Sequence, residues 1–195
     1  MKPRVLVAWE YSGRVRDEFA ARGWDAWSCD ILEESDTVGQ HYRGDVRDLL
    51  RERWDMMIAF PPCTYLCSSG LHWNKRVPGR AEQTEAALAF VRLLLDAPNG
   101  RIALENPIGC ISTRIRPPSQ TIQPWQFGHG ETKATCLWLK GLPKLIPTNV
   151  VEGREARIHR LPPSPDRWKI RSKTYDGIAQ AMADQWANRL SLFND

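Results

Sequence analysis

No two cysteines in this chain have the CxxC spacing of a structural zinc site or a redox motif. Cys29, Cys63, Cys67, Cys110 and Cys136 are an odd number, scattered, with no signal-like segment ahead of them. That pattern suits a reducing cytoplasm. Cys63, Cys67 and His72 could be offered as metal ligands, but a fourth ligand at a recognisable spacing is missing, so no metal is expected. No apolar run reaches the roughly 18 residues needed to span a bilayer, and neither end carries a lipidation signal, so no membrane partner is expected. A dominant charge is lacking too. The 27 Lys and Arg against 23 Asp and Glu leave a net charge of +4, compatible with a phosphate-bearing partner but below that of a protein that coats DNA. With 42% hydrophobic and 26% charged residues, the composition is that of an ordinary soluble globular protein. The 195 residues have room for one well-buried domain and hardly for two, so 1–195 is read as a single domain.

Against these absences stands the stretch 55–70, DMMIAFPPCTYLCSSG. Met56 to Phe60 form an apolar run of strand length, and Pro61 and Pro62 stop it, because proline cannot donate to a sheet ladder. Cys63 therefore follows the carboxyl end of a buried strand, the edge at which open α/β sheets place their ligand crevices. A soft nucleophile there suits covalent chemistry. A small buried structural cysteine is the other reading. A second segment, RIALENP at 101–107, repeats the pattern: an apolar strand stops at Pro107 and leaves Glu105 and Asn106 at its tip.

The rest of the chain frames these two tips. RVLVAW at 4–9 reads as a buried first strand, and Glu10, Tyr11, Ser12 and Gly13 turn into a helix with Val15 and Phe19 on one face. Residues 24–31 read as a second strand ending on Asp30, which completes a βαβ opening. In such a unit the first turn lies under a bound cofactor, and an acidic residue ending the second strand can accept from ribose hydroxyls. Asp30 can equally cap a loop. Residues 41–50 read as a third strand and a short turn carrying Asp45, which could also be a surface turn aspartate. Residues 71–80 are polar, basic and turn-rich, and read as a mobile loop with Trp73 available for base stacking, or as an ordinary solvated loop. An amphipathic helix is expected over 82–96, with Ala87, Leu88, Val91, Leu94 and Leu95 at helical spacing. The stretch 148–173 is non-periodic and basic, and 175–190 reads as a helix with Ile178, Met182, Trp186 and Leu190 on one stripe.

The two strand tips and their order along the chain resemble the DNA cytosine-5 methyltransferase family. Its catalytic segment runs from a strand into Pro-Pro-Cys and then Ser and Gly, here Pro61, Pro62, Cys63, Ser68 or Ser69, and Gly70. Its Glu-Asn-Val is matched by Glu105 and Asn106, with Pro107 departing. Gly44-Asp45-Val46 matches a Gly-Asp-hydrophobic step. The glycine-rich Phe-x-Gly-x-Gly loop is replaced by Glu10 to Gly13, and Gln-x-Arg-x-Arg by Glu131-x-Lys133-x-Thr135, since the tempting Arg114-x-Arg116 comes too early. Near the end only Gly177 and Ala179 match. The resemblance implies an α/β, Rossmann-like S-adenosylmethionine-dependent methyltransferase fold, with a mostly parallel central sheet and helices on both faces. It implies methyl transfer to C5 of cytosine in DNA, with Cys63 and Glu105 catalytic. S-adenosylmethionine would lie against Glu10, Tyr11, Ser12, Gly13, Asp30, Asp45, Phe60 and Pro61, and the substrate against Pro62, Asn106, Lys133 and Thr135. The target would be single-stranded DNA or a base flipped from a duplex. The basic stretch 148–173 stands where sequence-specific members insert a target-recognition domain and leaves no room for one, which implies weak or short-site sequence preference, or a partner chain for recognition. A related methyltransferase acting on RNA or free nucleotide, or a non-catalytic binding module, remains open.

Overall fold

The computed structural model describes residues 1–33 and 37–187. Its strands are β1 (Arg4–Ala8), β2 (Asp25–Asp30), β3 (His41–Arg43), β4 (Met56–Ala59), β5 (Ile102–Pro107), β6 (Gln120–Ile122) and β7 (Thr135–Lys140). They form one seven-stranded sheet in the order β3-β2-β1-β4-β5-β7-β6. β1 to β5 run parallel, β7 is antiparallel to β5, and β6 is antiparallel to β7. The mixed α/β, mostly parallel sheet agrees with the expectation.

The strand sequences explain why both sheet faces are covered. Side chains alternate along a strand, and strands buried on both faces read as continuous apolar runs. Val5, Val7, Met56, Ile58, Leu137 and Leu139 face one core, shared with α1 (Arg14–Ala21) and the last described helix. Leu6, Met57, Ala59, Ile102, Leu104 and Trp138 face the other. That side is covered by α3 (Arg80–Leu95), whose Leu88, Val91 and Leu94 are buried, and receives Ile111 from α4 (Ile111–Arg114). The last helix among the described residues, α7 (Asp176–Ala187), buries Ile178, Met182 and Trp186 on one stripe as expected. Leu190, placed on the same stripe by the sequence, lies outside the described residues.

Three stretches differ from their sequence reading. Within residues 71–80, expected as a mobile or an ordinary solvated loop, 71–75 are wound into the end of α2 (Ser68–Leu71) and a 3-10 turn at His72–Lys75, and only 76–79 form a turn before α3. Hydrogen bonds hold them: Asn74 Nδ2 donates to Thr84 Oγ1 at 2.9 Å, and Arg80 donates to the Thr64 carbonyl at 2.9 Å. β6 was not foreseen. The basic stretch 148–173 contains α5 (Arg157–Arg160) and α6 (Arg167–Ser172).

In the sheet order β1 lies between β2 and β4, so the chain moves outward in opposite directions from it. The carboxyl ends of β1 and β4 therefore border the crevice that open α/β sheets use for ligands.

Candidate active site

The loops leaving β4 and β5 are fastened to each other. Phe60 N–H still donates to Ala8 O at 2.9 Å, and then Pro61 and Pro62 end the ladder. Residues 63–67 make a single helical turn, with the N–H groups of Leu66 and Cys67 donating to Cys63 O at 3.0 and 2.9 Å. Cys67 bridges Gly109 in the β5 loop, Ser68 N–H donates to Ile108 O, and Cys110 N–H to Leu66 O. Only glycine fits at 109, because a Cβ there would stand 2.0 Å from Leu66 O. Asn106 is buried and donates through Nδ2 to the Pro61 carbonyl at 2.8 Å; its Oδ1 finds no partner among the described residues. The result is an exposed Cys63 on a rigid turn next to the tip of β5.

Glu105 belongs to the same neighbourhood. In the β5–β7 register it pairs with Leu137, and Pro107 pairs with Thr135, which brings the start of β7 alongside the β5 tip. Burial pushes the Glu105 carboxyl above its usual range, while the Lys133 ammonium and the Thr135 hydroxyl pull it back. The Cys63 thiol is pushed up as well, by burial of its surroundings and then by the charges of Glu105 and Cys67; Lys133 works the other way. Cys63 thus feels the charge of Glu105, and the Lys133 ammonium acts on both groups. Phe60, Glu105, Lys133, Thr135 and Tyr175 line a cavity of about 20 Å³ together with Ser172, Thr174, Ile178 and Met182. Lys133 Nζ donates to the Arg171 carbonyl at 2.8 Å, and its own N–H donates to Gln123 Oε1 at 3.0 Å.

At the tips of β1 and β2 the expected cofactor residues are arranged unequally. Trp9 has φ 59, a left-handed conformation rare for a bulky residue, and its ring packs edge-on against Phe90 at 4.7 Å. The chain then turns inward. Glu10 is buried and accepts from the N–H groups of Val15 at 2.7 Å and Arg16 at 3.1 Å, so its carboxylate caps α1 from within. Burial lifts its pKa to about 7 against those two bonds. Ser12 is buried, and Gly13 takes φ 74 at the start of α1. Tyr11 is buried too, with its hydroxyl donating to the Lys169 carbonyl of α6 at 2.9 Å. Asp30 is 8% exposed and accepts from Leu32 N–H at 3.0 Å; burial raises its pKa, and the Leu32 N–H lowers it. Asp45 is exposed, caps the 3-10 turn at Val46–Asp48 and pairs with Arg47 at 2.8 Å. A cavity of about 490 Å³ opens beside Tyr11, Leu32 and Glu33 on one side and Lys169, Ile170 and Lys173 on the other.

No family model and no curated sequence matches the chain. Among solved structures, an E. coli protein named as a candidate DNA modification methyltransferase encoded within a prophage aligns with 77% of this chain and 52% of its own. The identity is 13% and the TM-score 0.48. The chain thus spans about half the length of that protein, and an overlap of this quality decides nothing about activity.

Several members of the site were not singled out in the sequence. Tyr175 lines the cavity at Glu105 and donates to Glu131 Oε2 at 2.8 Å, while Glu131 also holds Arg157 of α5 at 2.6 Å. Ser172 and Thr174 complete the wall. The only signal was local, a tyrosine at the start of an amphipathic helix. Its partners lie too far off in sequence to be read. Among the described residues, no helix is long and apolar enough to cross a membrane, and no group of three or more His, Cys, Asp or Glu side chains is placed to hold a metal ion.

Proposed function

We propose that this chain transfers a methyl group from S-adenosylmethionine to C5 of cytosine in DNA through a covalent bond between Cys63 and C6. The observation that supports the reading is geometric: Asn106 Nδ2 donates to the Pro61 carbonyl at 2.8 Å and so ties the strand tip carrying Glu105 to the loop carrying Cys63.

Cytosine C5 is a poor nucleophile until a group adds at C6. The Cys63 thiolate forms the S–C6 bond while the C5–C6 π pair moves onto C5. Glu105, whose burial favours the neutral acid, donates its proton at N3 and accepts from the exocyclic amine, which disperses the charge the addition creates. Lys133 offers a single ammonium to the pyrimidine carbonyl, without the planar fork of an arginine. S-adenosylmethionine, when bound, supplies the electrophilic methyl group. The C5 proton then leaves to a base or water, its electron pair restores the C5–C6 double bond as Cys63 departs as thiolate, and N3 returns its proton to the Glu105 carboxylate.

A cavity beside Tyr11 supports a place for the donor in this reading. The cavity of about 490 Å³ next to Tyr11 and the loop after Asp30 is of the size small-molecule sites have. Tyr11, Ser12 and Gly13 would hold the donor from the turn after β1, Asp30 from the tip of β2, and Phe60 and Pro61 from the tip of β4. Glu10 acts through α1 in this reading, and Asp45 reaches adenine only after releasing Arg47. On the substrate side, Pro62, Asn106 and Thr135 shape the base pocket. A duplex target must present its cytosine out of the stack. Residues 1–195 form one catalytic domain in which 148–173 replaces a target-recognition domain, so DNA is selected by a short site or with a partner chain.

Tritium-labelled S-adenosylmethionine and plasmid DNA test the reading: label should enter C5 of cytosine with the intact protein and fall at least about 1,000-fold with Cys63→Ala. Label in adenine, or transfer that survives Cys63→Ala, overturns it. A non-catalytic binding module is the second reading, favoured by the engagement of both Tyr11 and Lys133 by α6. Calorimetric titration with S-adenosylmethionine separates the two, because absence of binding favours the module.

A further inference from the structure

One short helix holds two hydrogen-bond donors of the candidate site. Tyr11 Oη donates to the Lys169 carbonyl at 2.9 Å, and Lys133 Nζ donates to the Arg171 carbonyl at 2.8 Å. A third bond, from Arg14 to the Thr174 carbonyl at 3.1 Å, fastens the chain just beyond α6. The last four carbonyls of a helix lack main-chain partners within it and carry the negative end of its dipole; in α6 the Lys169 carbonyl also accepts from Ser172 Oγ at 2.9 Å. An ammonium and a phenol therefore meet in α6 the kind of acceptor that a carbonyl-bearing ligand presents.

The helix is thinly attached. None of its residues is buried, and Trp168 and Ile170 are 50% and 43% exposed. Ser172, Thr174 and Tyr175 nevertheless wall the Glu105 cavity, whose volume of about 20 Å³ suits a single water. A pyrimidine ring is several times larger. The strand tips are fixed by the sheet, and Ile178 and Met182 are buried in α7, so the wall that can yield is the chain around α6.

We propose that residues 164–174 are an autoinhibitory latch. The carbonyls of Lys169 and Arg171 take the places of ligand acceptors on Tyr11 and Lys133, and lifting the segment admits a pyrimidine base to Glu105. The gating follows from the cavity itself, whereas its part in methyl transfer rests on the function proposed above.

Alkylation inside the cavity tests the latch without cofactor or nucleic acid. Thr135 is 5% exposed and lines the cavity, so Thr135→Cys places a thiol behind the latch. Ile170→Pro removes the Ile170 N–H bond to Asp166 O and breaks α6 at an exposed position. Iodoacetamide labelling read by peptide mass spectrometry should be slow at position 135 in Thr135→Cys and at least tenfold faster when Ile170→Pro is added, with exposed Cys63 labelled alike in both. Equal rates at position 135, or fast labelling in the single variant, overturn the proposal. If the proline variant melts early, Ile170→Gly loosens the same helix and must give the same rise. Faster labelling together with no methyl transfer leaves the latch standing and removes the enzyme.

Discussion

Asn106 at the tip of β5 donates to the carbonyl of Pro61 at the tip of β4, 2.8 Å away and out of contact with water. One amide thereby sets the distance between the strand that carries Glu105 and the loop that carries Cys63. Asn106→Ala loses one buried hydrogen bond and should cost about 1–2 kcal/mol in chemical denaturation. Asn106→Asp sets a carboxylate against the Pro61 carbonyl and should cost about 3 kcal/mol or more. An aspartate tolerated as well as alanine would show that the bond does not hold the two tips together.

Glu10 makes stability depend on pH in the direction opposite to an ion-paired carboxylate. Its folded pKa is about 7, above the unfolded value of about 4.3. Below the unfolded value both states are protonated, and no penalty applies. As pH rises from there to about 7, the unfolded chain releases its proton first, so stability falls by on the order of 3 kcal/mol and then levels off. Glu10→Gln cannot ionise, though it accepts from only one of the Val15 and Arg16 N–H groups. Melting curves between pH 5 and 8 should show the gap between wild type and Glu10→Gln changing in favour of the variant as pH rises. A constant gap contradicts this.

Lys133 lowers the pKa of both Cys63 and Glu105, so its removal should drive both further up. The pH profile of Cys63 alkylation should move to higher pH in Lys133→Ala and stay near wild type in Lys133→Arg. An unmoved profile in the alanine variant would place the ammonium outside the site.

The parts of this arrangement legible in sequence are those set by local rules. Apolar runs of strand length stopped by proline marked the tips of β4 and β5, and helical spacing of Ile178, Met182 and Trp186 marked α7. What joins them was not legible. β6 has only three residues, Gln-Thr-Ile, too few for an alternation to register. The run RWKIRS belongs to a stretch read as basic and non-periodic, and its docking depends on a tyrosine 158 residues away that donates to a main-chain carbonyl, which has no side-chain signature. The same holds for Glu10, an acid ahead of a helix in sequence and a buried internal cap in the fold.

The account stands on Cys63 and Glu105 acting on the same pyrimidine ring, and covalent trapping tests that most directly. An oligonucleotide carrying 5-fluorocytosine, incubated with protein and S-adenosylmethionine, cannot release the cysteine, because fluorine at C5 does not leave as a proton does. The expected result is a denaturant-resistant protein–DNA adduct whose mass adds one methyl group, absent in Cys63→Ala and strongly diminished in Glu105→Ala. An adduct that forms without Cys63, or no adduct from a protein that still methylates DNA, contradicts the mechanism.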